Sequence, residues 1–299
     1  MIEKLANHFQ MAFTSEFTIK DTNNYWFQTE DGQIFGLLKT ALSEVELNLL
    51  RSLFLPIEDT ETNSKKNVVH IKWQQFLFGD SNDFPFSEDV ESIRFFYFRL
   101  KQPIIDPINF EEAIKGAFQQ PIVIWINNMY GIIIEEKPLS IFDKEDFIQL
   151  SDTLTSDFLV VIYSFIGQLH KADLFLKEKF RMEKQCFQEL LTYIEQEKTV
   201  LFYEAFPIIL VTSAHLIEKK LLSNYLIESL EDGELLHTLK VFLQYNLNAS
   251  LAAKRLHIHR NSLQYRFDKL TNKTGIDCRD FSNAVFLALA IPLITKRTD

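Results

Sequence analysis

The stretch from Ser250 to Leu270, which reads SLAAKRLHIHRNSLQYRFDKL, is the feature that most constrains how this 299-residue chain folds. Ala252 and Ala253 are small enough to lie where two helices cross, and His257-Ile258-His259 has the length of a tight turn between helices. The apolar residues available for the inner faces are Leu256, Ile258, Leu263, Phe267 and Leu270. The last three are spaced i, i+4 and i+7, which is one stripe of a helix. The pattern predicts a helix-turn-helix in which Ile258 enters the core and His259 caps the second helix.

The outer side of the second helix carries the candidate functional residues. Because Leu263 faces the core, helical spacing turns Asn261 and Tyr265 to the opposite side. Arginine suits guanine, asparagine and glutamine suit adenine, and lysine, serine and tyrosine hold phosphates. The candidate DNA-binding residues are therefore His259, Arg260, Asn261, Ser262, Gln264, Tyr265, Arg266 and Lys269. Three alternatives stay open: a plain pair of amphipathic helices, a helix pair that binds protein or RNA, and arginines that pair with acidic neighbours.

Charge is distributed unevenly along the chain. From Ser250 to Asp299 there are nine Lys and Arg residues and four Asp residues, a net of +5 in a chain whose total is −10. The rest of the chain therefore carries −15. A basic end on an acidic body suits a nucleic-acid-binding module attached to a larger domain.

A wider block, from Leu235 to Asp277, adds further motifs. It contains Thr238-Leu239, Asn248-Ala249, the string from Ala253 to Arg266, and a closing Thr274-Gly275-Ile276-Asp277. The block resembles the C-terminal helix-turn-helix of the PucR family of bacterial regulators. The resemblance implies a sequence-specific DNA-binding transcription regulator that is not an enzyme, with a double-stranded DNA operator as its partner.

The middle of the chain, from Ile93 to Tyr203, predicts the element order β-α-β-β-α-β-α-β, which is typical of an α+β sandwich. Within it we predict a helix capped by Asn109, a long helix from His170 to about Gln196, and a short strand from Val200 to Tyr203. A further helix is predicted from Ile208 to Leu222. The order resembles the degenerate GGDEF-like domain that often precedes the DNA-binding end of PucR-like regulators.

Catalysis by this middle region is not expected. A nucleotide cyclase of that fold needs carboxylates that hold two metal ions, and neither Phe95–Leu100 nor the hairpin Asn127–Gly131 contains an acid. We interpret Glu135 and Glu136 as solvated charges at a strand end, and we expect no cofactor and no bound metal. The aromatic residues are expected to form core, with a small-molecule pocket as the alternative; they are Trp73, Phe76, Phe95, Phe96, Phe98 and Trp125.

Cysteine content and apolar runs indicate the compartment. Cys186 and Cys278 are too few for a disulfide framework or a four-cysteine zinc site. The N-terminus has no apolar segment like that of a signal peptide, and the apolar run from Ala284 to Ile294 is too short to span a bilayer. We expect a cytoplasmic protein that makes no membrane contact.

We therefore predict an α+β fold with three parts. Residues 1–66 form an N-terminal α/β segment, residues 67–232 a catalytically degenerate GGDEF-like α/β sandwich with a helical connector, and residues 233–299 the PucR-type all-α helix-turn-helix domain. A single helix-turn-helix reads few base pairs, so we expect a homodimer, controlled by a small-molecule effector or a protein partner. The alternatives are a non-DNA-binding interaction protein and a nucleotide-binding enzyme of cyclase fold.

Overall fold

The chain folds into two β-sheets followed by a group of helices. The computed structural model describes residues 2–15, 23–29, 34–57, 64–79, 83–104, 106–118, 120–138, 144–193 and 198–295. Among these residues, no helix is both long enough and apolar enough to cross a membrane.

The first sheet is small and antiparallel, with the strand order β1-β3-β2-β4. Its elements are α1 (Ile2–Phe9), β1 (Phe13–Thr14), β2 (Asn24–Gln28), β3 (Ile34–Leu38), α2 (Glu44–Leu53) and β4 (Leu55–Ile57). Strands β2 and β3 pair along their whole length, from Asn24 opposite Leu38 to Gln28 opposite Ile34. The sequence between them, Glu30-Asp31-Gly32, predicts a hairpin turn, and it lies outside the described residues. A capping box begins α2: Ser43 Oγ accepts the N–H of Glu46, and the Glu46 carboxylate accepts the N–H of Ser43 at 2.8 Å.

The second sheet has five strands in the order β6-β7-β5-β8-β9, and every neighbouring pair is antiparallel except β8 with β9. Its elements are α3 (Ser64–Phe78), β5 (Ser92–Leu100), α4 (Pro107–Ala117), β6 (Ile122–Asn127), β7 (Tyr130–Glu136), α5 (Lys144–Phe158), β8 (Ile162–Lys171), α6 (Leu176–Leu190) and β9 (Thr199–Leu201). From β5 onwards this is the predicted order β-α-β-β-α-β-α-β, so the α+β class is confirmed. Helix α3 runs across the predicted domain boundary at residues 66 and 67.

Helices cover both faces of this sheet. On one face, α4 and α5 pack over a core that includes Phe96, Phe98 and Trp125. On the other face, α3 and α6 pack over Phe95, which the ring of Trp73 on α3 contacts. The interpretation of these aromatic residues as core is confirmed, because each is almost fully buried.

Several predicted element boundaries are wrong. Helix α4 is capped by Asp106, whose carboxylate accepts the N–H of Asn109 at 3.1 Å, because Pro107 has no N–H to lose and suits the first helical position. Strand β8 continues to Lys171 along β5, so the following helix starts at Leu176 rather than at His170. The apolar pattern does not reveal the end of this strand, because Gln168 and His170 are polar although both are buried.

The C-terminal helices continue the core of the second sheet without a break. They are α7 (Phe202–Thr212), α8 (Asn224–Glu231), α9 (Gly233–Gln244), α10 (Ala249–Leu256), α11 (Arg260–Thr274) and α12 (Phe281–Thr295). Helix α7 thus begins within the predicted strand Val200–Tyr203, and only short 3-10 turns occupy the remainder of the predicted helix Ile208–Leu222. The ring of Phe286 on α12 lies 4.8 Å from that of Tyr203 and 4.9 Å from that of Phe206. The same packed core therefore supports the sheet and the helix-turn-helix.

Candidate nucleic-acid interface

Local hydrogen bonds set the two helices of the motif. Asn248 caps α10, and its side chain accepts the N–H of Leu251 at 3.1 Å. The helix ends at His257, whose φ of 54° is left-handed, and the N–H of Ile258 returns to the carbonyl of Ala253 at 3.1 Å. His259 Nδ1 then accepts the N–H of Asn261 at 3.2 Å, which makes it the cap of α11. The predicted turn and its histidine cap are confirmed.

The inner faces of the helices form the predicted core. Ala252 and Ala253 are buried between α9, α10 and α11, and Ile258 packs against the same cluster. Leu263, Phe267 and Leu270 are buried along one side of α11, and the ring centroid of Phe267 lies 4.5 Å from that of Phe242 on α9. The burial fixes which side of α11 turns to solvent.

Five of the eight predicted residues lie at the start of α11 and are open to solvent. His259, Arg260, Asn261 and Ser262 are exposed, and Tyr265 is 71% exposed. Within the described part of the chain, Arg260 forms no ion pair, so its guanidinium is available to a ligand. In helix-turn-helix proteins the N-terminal residues of the second helix contact base edges. The geometry matches that use.

The other three predicted residues have partners within the chain, two of them half-buried and Lys269 at the surface. Arg266 forms an ion pair with Glu234 and donates to Thr238 Oγ1 at 2.7 Å, both on α9, and its side chain is only 20% exposed. The ammonium group of Lys269 lies 3.8 Å from the carboxylate of Asp232. Gln264 Nε2 donates to the carboxylate of Asp268 at 3.2 Å. The contacts of Arg266 and Lys269 connect the second half of α11 to α9 and its cap, whereas the Gln264 bond lies within α11.

Two acidic residues near this surface have partners that sequence reasoning missed. Asp268, which would repel phosphate if it were alone, forms an ion pair with Arg279 at 3.0 Å. Asp232 caps α9 by accepting the N–H groups of Glu234 and Leu235, and the hydrogen bond from Leu235 lowers its pKa. Asp232 immediately precedes the glycine that starts α9, which is a capping signal that the sequence did contain.

The interpretation of Glu135 and Glu136 as solvated strand-end charges is wrong. Glu135 is only 7% exposed and lies across from Arg94 in the sheet, and burial raises the pKa of its carboxyl. Glu136 accepts the indole N–H of Trp73 at 3.0 Å, and burial raises its pKa as well. Helices cover the end of this hairpin, which is why its charges are not solvated.

A buried polar cluster joins β8 to α6. The Glu183 carboxylate accepts the N–H of Gln168 at 2.8 Å, lies 2.9 Å from His170 Nε2, and accepts the Tyr97 hydroxyl at 3.3 Å. A Cβ at Gly167 would lie 2.2 Å from Glu183 Oε2, so only glycine admits this carboxylate. Sequence reasoning missed this cluster.

Comparison with known proteins supports the motif. Residues 235–293 match the PucR C-terminal helix-turn-helix domain family. The chain is 29% identical over 278 residues to an uncharacterized protein, YxkF, of Bacillus subtilis, and the match covers 91% of each chain.

Two further relatives carry functional names. The chain is 29% identical over 182 residues to the purine catabolism regulatory protein of Bacillus subtilis, covering 61% of this chain and 28% of the relative. It is 41% identical over 64 residues to the proline-responsive transcriptional activator PutR of the same organism, covering 21% and 16% of the two chains. These matches span less than a third of each named regulator, and neither name is that of an enzyme. The C-terminal residues 235–293 of this chain are therefore similar to the PucR C-terminal helix-turn-helix domain family.

Proposed function

We propose that this chain is a sequence-specific DNA-binding transcription regulator that inserts the start of α11 into the major groove of duplex DNA. The observation that carries the proposal is the exposed first turn of α11, where Arg260 and Asn261 lead and Tyr265 follows one turn later. The kinship of residues 235–293 supports it, because the relatives with functional names are regulators.

The exposed residues have chemically distinct roles in this proposal. Arg260 suits the two acceptors of guanine, and Asn261 suits the donor and acceptor of adenine. Ser262, Tyr265 and the imidazole of His259 are placed to contact phosphates, which fix the register of the helix on the duplex. Lys254 and Arg255, exposed at the end of α10, add positive charge beside them.

We assign Arg266 and Lys269 a different role from the one that the sequence predicts. Their charges are engaged by Glu234 on α9 and by Asp232, the cap of α9, so they position α11 against α9 instead of contacting DNA. Gln264 is bonded to Asp268 one turn later in α11, so we do not assign it a DNA contact either. The DNA-reading surface is therefore the first turn and a half of α11.

The test is selection of binding sites from a random pool of duplexes, followed by affinity measurements over a range of salt. The variant to compare is Arg260→Ala combined with Asn261→Ala. A matched control is Arg181→Ala with Asn128→Ala, which removes the same two residue types from exposed positions of the middle region. Each lost base contact should cost about 1–3 kcal/mol of binding.

We expect one enriched sequence, an affinity that falls steeply with salt, and loss of the preference in the double variant only. If no sequence is enriched and even low-salt binding is weak, the proposal fails, and the helix pair is better explained as a surface for a protein partner. Turnover of a nucleotide in the presence of a metal would instead support the enzyme alternative.

A further inference from the structure

Helix α12 is apolar on every side. Its fifteen residues, FSNAVFLALAIPLIT, include no Asp, Glu, Lys or Arg. A helix that is hydrophobic all round is normally buried all round. Only one side of α12 is buried in the core, through Ala284, Phe286, Leu287, Ala290, Ile291 and Ile294.

The other side of α12 carries an apolar seam in which four of the six residues are exposed, while Val285 and Leu289 are half-buried and Leu289 also packs against the core. The α12 seam consists of Phe281, Val285, Ala288, Leu289, Pro292 and Leu293. Phe281 is 74% exposed, and Ala288, Pro292 and Leu293 are also exposed. Phe281, Val285, Ala288 and Pro292 follow the alternating spacing of four and three residues that marks the contact line of paired helices.

We propose that the α12 seam is the surface through which two copies of this chain dimerise. A two-fold interface brings the same patch of each copy together, so a charge near its centre would face its own copy. The seam contains no ionisable group, although the chain as a whole carries a net charge of −10. When two identical copies of a charged protein meet, like charges repel wherever charged surfaces face each other. A patch without ionisable groups is the surface where this repulsion is smallest.

The position of the seam fits the use of two DNA-reading helices. Helix α12 packs against α7, α8 and α9, whereas α11 packs against α8, α10 and, through Phe267 and Arg266, α9. Dimerisation through the seam therefore leaves the exposed side of α11 open. This inference rests on the proposed function, because a pair of half-sites needs two copies held in a fixed relation.

The seam also predicts the strength of the dimer. Stable interfaces involve roughly 20 to 30 residues on each side, and the seam supplies six from one helix. Ile208 and Val211, exposed on the adjacent helix α7, are available to extend it. We expect a dimer that dissociates on dilution and that DNA with two half-sites stabilises.

Sedimentation over a range of protein concentration, without DNA, tests the proposal on the full chain. Ala288→Asp and Ala288→Arg each place a charge at the middle of the seam, and each should weaken the dimer by at least about tenfold, because like charges then meet. An equal mixture of the two variants should dimerise again, since opposite charges then meet. Ile148→Asp is the matched control, because it charges an exposed apolar position of α5 on the other side of the sheet.

A cross-link gives a second readout. Ala288→Cys should form a disulfide between copies under mild oxidation, and Ile148→Cys should not, while the native Cys186 and Cys278 are buried. A wild-type chain that stays monomeric throughout, or a dimer that Ala288→Asp leaves unchanged, overturns the proposal.

Failure of this proposal can be told apart from failure of the proposed function. If Ala288→Asp abolishes the dimer but the wild-type chain enriches no duplex, the dimer proposal stands and the proposed DNA-binding function fails. If the chain instead stays monomeric and binds a single half-site, the proposed function stands and the dimer proposal fails.

Discussion

At the scale of single residues, the exposed side of α11 divides according to which charges are already engaged. Arg260 is open to solvent, whereas Arg266, six residues later, is held by Glu234 and Thr238. Both arginines look alike in the sequence, because Glu234 is 32 positions from Arg266 and only the packing of α9 on α11 brings them together. The sequence could therefore predict the candidate residues but not which of them are free.

A pair of substitutions separates a positioning role for Arg266 from direct DNA contact. If Arg266 positions α11, Glu234→Ala should weaken DNA binding, although removing an acid ought to favour binding to an anion. The expected loss is roughly two- to tenfold, in line with about 1 kcal/mol for one exposed ion pair and its hydrogen bond. Affinity for the selected duplex is the measurement, with thermal unfolding run alongside.

Glu231→Ala is the control, since it removes an exposed acid one turn earlier in the same region. Tighter DNA binding by Glu234→Ala would contradict the positioning role and return Arg266 to the DNA-contacting set.

At the scale of elements, helices and strands with a regular apolar pattern were predicted correctly, whereas the ends of elements that contain buried polar residues were not. The turn at residues 257–259 was predictable because its cap and apolar spacing are local. The end of strand β8 was missed because Gln168 and His170 are buried polar residues that satisfy Glu183, a partner from the next helix. The resemblance of the second sheet to a GGDEF-like domain and the three domain ranges stay predictions, whereas the order of its elements is confirmed.

Helix α9 should depend on pH through its cap. The pKa of Asp232 is lowered by the hydrogen bond from Leu235, so its contribution to stability is present above the unfolded pKa of about 3.9 and is lost as the pH falls through the folded value. Asp232→Asn keeps a good cap but not the charge. The difference in unfolding free energy between the two proteins should be under about 1 kcal/mol near neutral pH.

Denaturant unfolding at several pH values measures that difference, because all other acids titrate alike in both proteins. It should shrink towards zero as the pH falls through the lowered folded pKa of Asp232. A difference that stays constant, or grows as the pH falls, would show that the charge of Asp232 does not stabilise α9.

At the scale of the whole molecule, one core links the second sheet to the DNA-reading helices. Phe286 contacts Tyr203 and Phe206 on α7, and the Tyr203 hydroxyl donates to the carbonyl of Thr274 at the end of α11. We therefore expect the second sheet and the helices after it to unfold together.

Phe286→Ala tests this coupling. Removing a fully buried ring should cost about 3–5 kcal/mol, and the loss should appear equally in the helical signal of circular dichroism and in tryptophan emission. A Trp26→Phe background restricts that emission to Trp73 and Trp125, which are packed on opposite faces of the second sheet.

The control is Phe281→Ala, measured at concentrations where the chain is monomeric, because that ring is exposed and should contribute under about 0.5 kcal/mol. Helical signal lost at lower denaturant than tryptophan emission would mean that the two regions unfold independently.

Because Glu183 lies so close to Gly167, the residues at these two positions are expected to change together among related proteins. A relative with glutamate at the position of Glu183 must keep glycine at the position of Gly167, because any side chain there would occupy the space of the carboxylate. A relative with a larger residue in place of this glycine is expected to replace the glutamate as well. Its residue at the position of His170 then has no carboxylate partner and is free to change. The spacing of a Gly-Gln-x-His string followed thirteen residues later by Glu thus forms a signature that can be searched for in other chains.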